Sequence, residues 1–210
     1  MYNLPYYKEK DNAVVIDFMK QHPFAVLMGV NAEQQPVATQ IPFLFAEKDG
    51  CLYLRGHIMK GTDHHKAFEA NKQVLAVFTG PHTYVSASWY SNQKQASTWN
   101  YMAVHAKGEL NFLGNDELLT MLDELTGYYE NDKASPSLYK ELSEEYITRL
   151  SKAIVGFEIK VTSLDHVFKL SQNRDKQSFE NILDKLQLGD ADAQAVAAEM
   201  RKRKDQLFPS

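Results

Sequence analysis

Apolar positions along the chain recur with two periods, and the places where one period gives way to the other mark the ends of elements. Val14, Val15, Phe18 and Met19 fall at helical spacing behind Asp11, a good N-cap, and Pro23 ends the run, which predicts a short opening helix. Strand patterns follow at Phe24–Asn31, Val37–Glu47, Cys51–His57 and Gln73–Ser86. Turns at Gln35-Pro36 and Lys48-Asp49-Gly50 separate them, with one helical stretch at Asp63–Asn71. A further strand is predicted at Thr98–Phe112. Helical spacing returns at Leu118, Leu119, Leu122 and Leu125, and a second helix is predicted through Glu141 to Leu150. Ile154–Leu170 alternates as one long strand. Two closing helices carry Phe179, Ile182, Leu183 and Leu186 on one face, then Ala193, Val196, Ala197 and Met200 on a narrower stripe.

Strands first, helices inserted and a strand returning late predict an α+β barrel rather than a βαβ fold. A length of 210 residues suffices for one sizeable core, and 44% hydrophobic with 24% charged residues excludes a disordered chain. A net charge of -4 speaks against a protein whose main task is to neutralise nucleic-acid phosphates. The run Arg201-Lys202-Arg203-Lys204 ends a helix that begins with Asp190 and Asp192, an order the helix dipole itself favours, so it requires no DNA. No helix-turn-helix pattern accompanies it. Cys51 is a lone cysteine, no secretory segment opens the chain and no apolar run is long enough for a bilayer, so a cytoplasmic protein off the membrane is expected.

Candidate chemistry concentrates in two places. Leu54–Thr62 follows a strand and carries Arg55, His57 and Lys60 among Gly56 and Gly61, which suits either an anion site or a solvated turn. Tyr84, Trp89, Tyr90, Trp99 and Tyr101 flank a polar loop at Ser91–Gln95; such a cluster makes a core corner, a dimer interface or a wall for a flat ligand. In Trp99-Asn100-Tyr101 a strand puts the amide on the face opposite both rings. The neighbours His64 and His65 point about 100° apart on a helix and have no ligand-spaced partner, so no metal site is expected. Neither a nucleophile elbow nor a P-loop is present, and no catalytic residue is assigned.

Three separated stretches carry a family resemblance: His82–Tyr90, Ser97–His105 and Phe168–Arg174. Met1-Tyr2 with Pro5, Ala38–Phe43 and Gly80-Pro81 agree with them. In these stretches the chain resembles the PaiB family of FMN-binding transcriptional regulators, from residue 1 to about residue 188. The resemblance implies an α+β, FMN-binding split β-barrel with inserted and C-terminal helices, related to pyridoxamine-phosphate-oxidase-like proteins. Residues 1–174 are then the FMN-binding domain and 175–210 a helical extension packed on it. It further implies a homodimer with FMN at the subunit interface. Thr39, Arg55, Gly56, His57, Lys60, Gly61 and Thr62 are expected to face the phosphate and ribityl chain. Trp99, Asn100, Lys169, Ser171 and Gln172 are expected to close over the ring, with Trp89 or Trp99 as its wall. Where the family has an arginine after the histidine, this chain has Lys60, which keeps the charge and loses the bidentate fork. The function implied is negative transcriptional regulation; the alternative is an FMN-dependent oxidoreductase. Haem breakdown on the same barrel would need a well-placed axial histidine and ranks last.

Overall fold

A computed structural model describes residues 1–209. Helix α1 (Asn12–Gln21) starts where the sequence places it, because the Asp11 carboxylate accepts from the Ala13 N–H at 2.8 Å and so satisfies one of the open donors of the first turn. Strands β1 (Phe24–Val30), β2 (Pro36–Pro42), β3 (Leu44–Lys48) and β4 (Cys51–Met59) come next, followed by helix α2 (Asp63–Ala70). Strands β5 (Gln73–Val85) and β6 (Thr98–Phe112) precede helices α3 (Asn115–Glu130) and α4 (Glu144–Ala153). Strand β7 (Ile154–Lys169) and helices α5 (Lys176–Gln187) and α6 (Ala191–Leu207) complete the chain.

Two predicted elements differ. Val37–Glu47 is not one strand: it breaks at Phe43, whose N–H donates to the Pro23 carbonyl at 2.9 Å while its ring is buried. Pro42 before it has no N–H to offer a sheet neighbour, which favours the break. The helix expected from Glu141 begins instead at Glu144, because the Ser143 side chain accepts from the Tyr146 N–H and fixes the start there; Tyr139–Glu141 is a 3-10 turn.

The chain forms two compact units. The first comprises Pro23–Phe78 with His105–Leu164; the second comprises Met1–His22, Thr79–Val104 and the residues from Asp165 onward. In the first, the sheet runs in the order β2-β1-β5-β6-β7-β4-β3, and the pairs β1–β2, β1–β5, β3–β4 and β4–β7 are antiparallel. β2 and β3 are the two ends of that order, yet Phe43 alone separates them along the chain. In a flat sheet those edges would lie roughly 29 Å apart, six spacings of about 4.8 Å, whereas two residues of chain reach only roughly 7 Å. The sheet must therefore curl until its edges meet: this is an α+β split β-barrel with inserted and C-terminal helices.

The barrel unit is filled by Leu27, Phe43, Leu54, Phe78, Phe157 and Ile159, with the Phe43 ring 5.5 Å from Phe78 and 6.2 Å from Phe157. The second unit buries Phe18, Phe168, Phe179, Ile182, Val196 and Met200, the first two with ring centroids 5.1 Å apart. Asp175 and Asp190 cap α5 and α6 by accepting from the Ser178 and Ala193 N–H groups. Among the described residues no helix is long and apolar enough to cross a membrane.

Candidate functional site

In the barrel unit the candidate residues gather at the β4–α2 junction. Alternation along β4 buries Leu54, Gly56 and Ile58 on one face and leaves Arg55, His57 and Met59 on the other. Arg55 is already engaged: its Nη1 donates to Glu124 Oε2 at 2.6 Å, and its Nε lies 3.9 Å from Glu158 Oε2, which Lys48 also holds at 2.6 Å. A Cβ on Gly56 would stand 3.0 Å from Phe157 Cζ and 3.4 Å from Ile41 Cδ1, so close packing against these side chains favours glycine here. Burial lowers the His57 pKa below its usual 6.5, which leaves the imidazole neutral at pH 7.

Past the strand end the picture changes. Lys60 is exposed; its Nζ makes one long contact, 3.5 Å to the Ser151 carbonyl, and no carboxylate among the described residues pairs with it. Gly61 has φ +78, a conformation that a side chain would strain, and the space beside it is open. Thr62 N-caps α2: its Oγ1 accepts from the His65 N–H at 3.3 Å and donates to the Met59 carbonyl at 2.9 Å. Thr39 lies half-buried opposite Leu27, on the face of β2 that also carries Ile41. Since Ile41 meets the Gly56 face, Thr39 stands on the opposite side of the sheet from Arg55 and His57. The structure brings Lys60, Gly61 and Thr62 together and does not join Thr39 to Arg55.

In the second unit β6 alternates as expected, Asn100 inward and Trp99 outward. Asn100 is fully buried, accepts from Ser171 Oγ at 3.0 Å and donates to Met200 Sδ at 3.5 Å. Ser171 sits at φ +64, the left-handed region that non-glycine residues rarely occupy, and its hydroxyl bond to Asn100 helps to hold it there. Lys169 Nζ donates to the Trp99 carbonyl at 2.8 Å and to Thr98 Oγ1; burial, with Arg174 nearby, lowers its pKa. Gln172 Oε1 accepts from the Leu170 N–H at 2.7 Å, closing the turn after β7. Trp89 lies in a 3-10 turn whose carbonyl accepts from Asn181 of α5 at 3.0 Å. Trp99, Asn100, Lys169 and Ser171 thus form one connected group, and Trp89 belongs to a different contact.

Trp99 alone of this group turns its ring to solvent, 53% exposed, edge-on to Tyr84 at 6.0 Å and tilted against His82 at 6.1 Å. It lines a cavity of about 280 Å³ with Gly80, His82 and Tyr101. Two features escaped the sequence. The Arg174 guanidinium lies 4.0 Å over the Tyr90 ring, whose buried hydroxyl has no hydrogen-bond partner among the described residues. A larger cavity, about 890 Å³, lies between α1 and α6 and is lined by none of the expected flavin residues. Its only sequence trace is the set of acidic positions on two amphipathic helices, which also suits solvated faces.

The basic run of α6 is largely neutralised within its own unit. Lys202 pairs with Glu199 at 2.5 Å, Arg203 with Glu199 at 2.8 Å and with Glu9 at 3.8 Å, and Lys204 with Glu180 at 2.9 Å.

Comparison with known proteins agrees with this architecture. Residues 1–163 match the family model described as "Putative FMN-binding domain". Protease synthase and sporulation protein PAI 2 of Bacillus subtilis (strain 168) is 38% identical over 188 residues, 89% of this chain and 89% of that protein. The fold is similar to that of a "putative 5-nitroimidazole antibiotic resistance protein" from Bacteroides thetaiotaomicron, with TM-score 0.54, 16% identity, and 79% of this chain and 92% of that one covered. It is also similar to an "FAD and Heme binding protein" from Mycobacterium smegmatis, with TM-score 0.54, 16% identity, and 77% and 72% covered.

Proposed function

Because the chain belongs to the "Putative FMN-binding domain" family, matched over residues 1–163, we propose that it holds FMN with the phosphate at the Lys60–Thr62 junction and acts as a regulator of the PaiB type. The observation that carries the placement is Lys60: a cation at a strand-to-helix junction, beside a glycine of positive φ, with no carboxylate partner among the described residues. A doubly charged phosphate asks for that donor set. Arg55 and Gly56 fit it less well, one paired with Glu124 and the other set against Phe157, and we assign them to the support of the junction.

Trp99 is proposed to wall the isoalloxazine, since its ring is open to solvent while Lys169 holds its backbone and Asn100 with Ser171 anchors β6 beneath it. When bound, FMN supplies a ring able to accept electrons or a hydride, and the protein contributes binding, orientation and shielding from water. We further propose a cytoplasmic homodimer in which residues 1–174 carry the flavin and 175–210 do not.

The Bacillus relative is named for protease synthesis and sporulation, which supports a regulatory role. The ion pairing of the α6 basic run argues that such regulation passes through the flavin or a protein partner rather than through α6 on DNA. The test is the absorption spectrum of the purified protein, or of protein incubated with FMN, followed by release of the flavin on denaturation. A flavin spectrum with stoichiometric release is expected, together with a dimer mass by light scattering. A protein that stays colourless and takes up no FMN would refute the reading. Rapid anaerobic reduction of the bound flavin by NADH or NADPH would move the assignment to an oxidoreductase.

A further inference from the structure

Residues 1–10 join no strand of the sheet and contain only the 3-10 turn Pro5–Tyr7 as regular structure. Three hydrogen bonds fasten them to β7. Lys8 Nζ donates to Asp165 Oδ1 at 2.6 Å and to the His166 carbonyl at 2.7 Å, and the Glu9 N–H donates to His166 Nε2 at 2.8 Å. We propose that this segment is a strap that acid releases, with the His166 imidazole as its latch. The inference is independent of the flavin reading and lies wholly within the second unit.

The latch follows from the direction of one bond. A backbone N–H only donates, so His166 Nε2 offers its lone pair and the ring proton sits on Nδ1. A second proton on the ring would set donor against donor and break that bond. It would also place a positive charge beside Lys8. Three elements bring charge to the ring: the segment with Lys8 and Glu9, β7 with Asp165, and α6 with Arg203. Arg203 reaches Glu9 at 3.8 Å and lies over Phe168, whose ring is 5.4 Å from that of His166. The Met1 amino group, 3.9 Å from Asp165 Oδ2, is a further cation nearby. Burial and Lys8 lower the His166 pKa and outweigh Asp165 and Glu9, which raise it. A base whose pKa is lowered in the closed form favours closure above about pH 6.5 and opposes it as the pH falls below that value.

Release has a consequence inside the unit. Tyr7 is the buried anchor of the strap, 4% exposed, with the Tyr6 ring edge-on to it at 4.4 Å. Tyr7 and Tyr2 both neighbour Tyr101, which lines the cavity of about 280 Å³ together with Trp99. Lifting the strap uncovers Tyr7 and frees that wall of the cavity.

The test is hydrogen–deuterium exchange of the full-length protein, read on residues 1–10 and corrected for the intrinsic pH dependence of exchange. Proton linkage through one histidine raises the opening constant by at most about tenfold per pH unit below 6.5. Exchange of the segment is therefore expected to rise severalfold, up to about tenfold, between pH 7.5 and pH 5.5, while β4 stays protected. His166→Gln keeps an acceptor oxygen near the Nε2 position and does not titrate, so its strap should stay closed at both pH values. His166→Ala should be open at both. In the wild type at pH 7.5, nitrogen NMR of the imidazole should show the Nδ1–H tautomer. No rise in the segment, an equal rise in β4, a wild-type rise in His166→Gln, or the Nε2–H tautomer at pH 7.5 would overturn the proposal.

Discussion

At the scale of single residues, the decisive distinction is between polar groups already satisfied inside the protein and those left over. Asn100 is of the first kind: its carbonyl oxygen receives the Ser171 hydroxyl, and Ser171 is itself held at positive φ. Removing the amide strands that hydroxyl in a buried site, so Asn100→Ala is expected to cost about 1–3 kcal/mol in urea unfolding. Ser171→Gly loses the same bond but relaxes the backbone and should cost less than Asn100→Ala. The sequence shows that Asn100 faces away from Trp99, because strand alternation demands it. It does not show that the amide turns to the core rather than to a ligand, because its partner lies 71 residues further on.

At the scale of elements, caps and breaks determine where the chemistry is presented. Thr62 fixes the first turn of α2 next to Lys60 through its hydroxyl, which accepts from the His65 N–H. Thr62→Ala should therefore cost about 1 kcal/mol of stability and weaken FMN as well, while Thr62→Ser should restore both. The binding readout separates this from simple loss of a cap elsewhere, for instance at Ser143. Helix α6 gives the opposite lesson. Its basic run resembles a DNA contact in sequence, but Lys202, Arg203 and Lys204 are all paired with glutamates of the same unit. Retention on a DNA column is expected to show no dependence on salt; a steep slope would contradict that. Most strand patterns were readable to within a few residues, helped where a turn sequence such as Lys48-Asp49-Gly50 separates two of them. The break at Phe43 was not, since Ile41–Ala46 is one apolar run in which Pro42 is the lone local signal, and it is the curling of the sheet that demands a corner there.

At the scale of the whole molecule, stability is linked to pH through three histidines. Burial lowers the pKa of His22, His57 and His166, with Lys8 adding to the effect at His166. An unfolded chain takes up protons at these rings near pH 6.5, while the folded chain resists until lower pH. The unfolded state then binds more protons, so stability falls as pH drops through and below about 6.5. The urea midpoint should be lower at pH 5.5 than at pH 7.5, and an unchanged midpoint would deny the burial of these rings. Family membership was readable from three short stretches because their order along the chain is itself informative. The acidic cavity was not, for its walls come from Glu9–His22, Gly80–His82 and Asp192–Gln206, segments brought together only by folding.

The central claim is that Lys60 and its junction hold the flavin phosphate. The most direct test is the FMN dissociation constant of Lys60→Ala beside wild type and Arg201→Ala, followed by flavin fluorescence at fixed ionic strength. Loss of one charge-assisted contact should raise Kd about tenfold or more in Lys60→Ala and leave Arg201→Ala at the wild-type value. Equal weakening in both variants, or wild-type affinity in Lys60→Ala, would contradict the account.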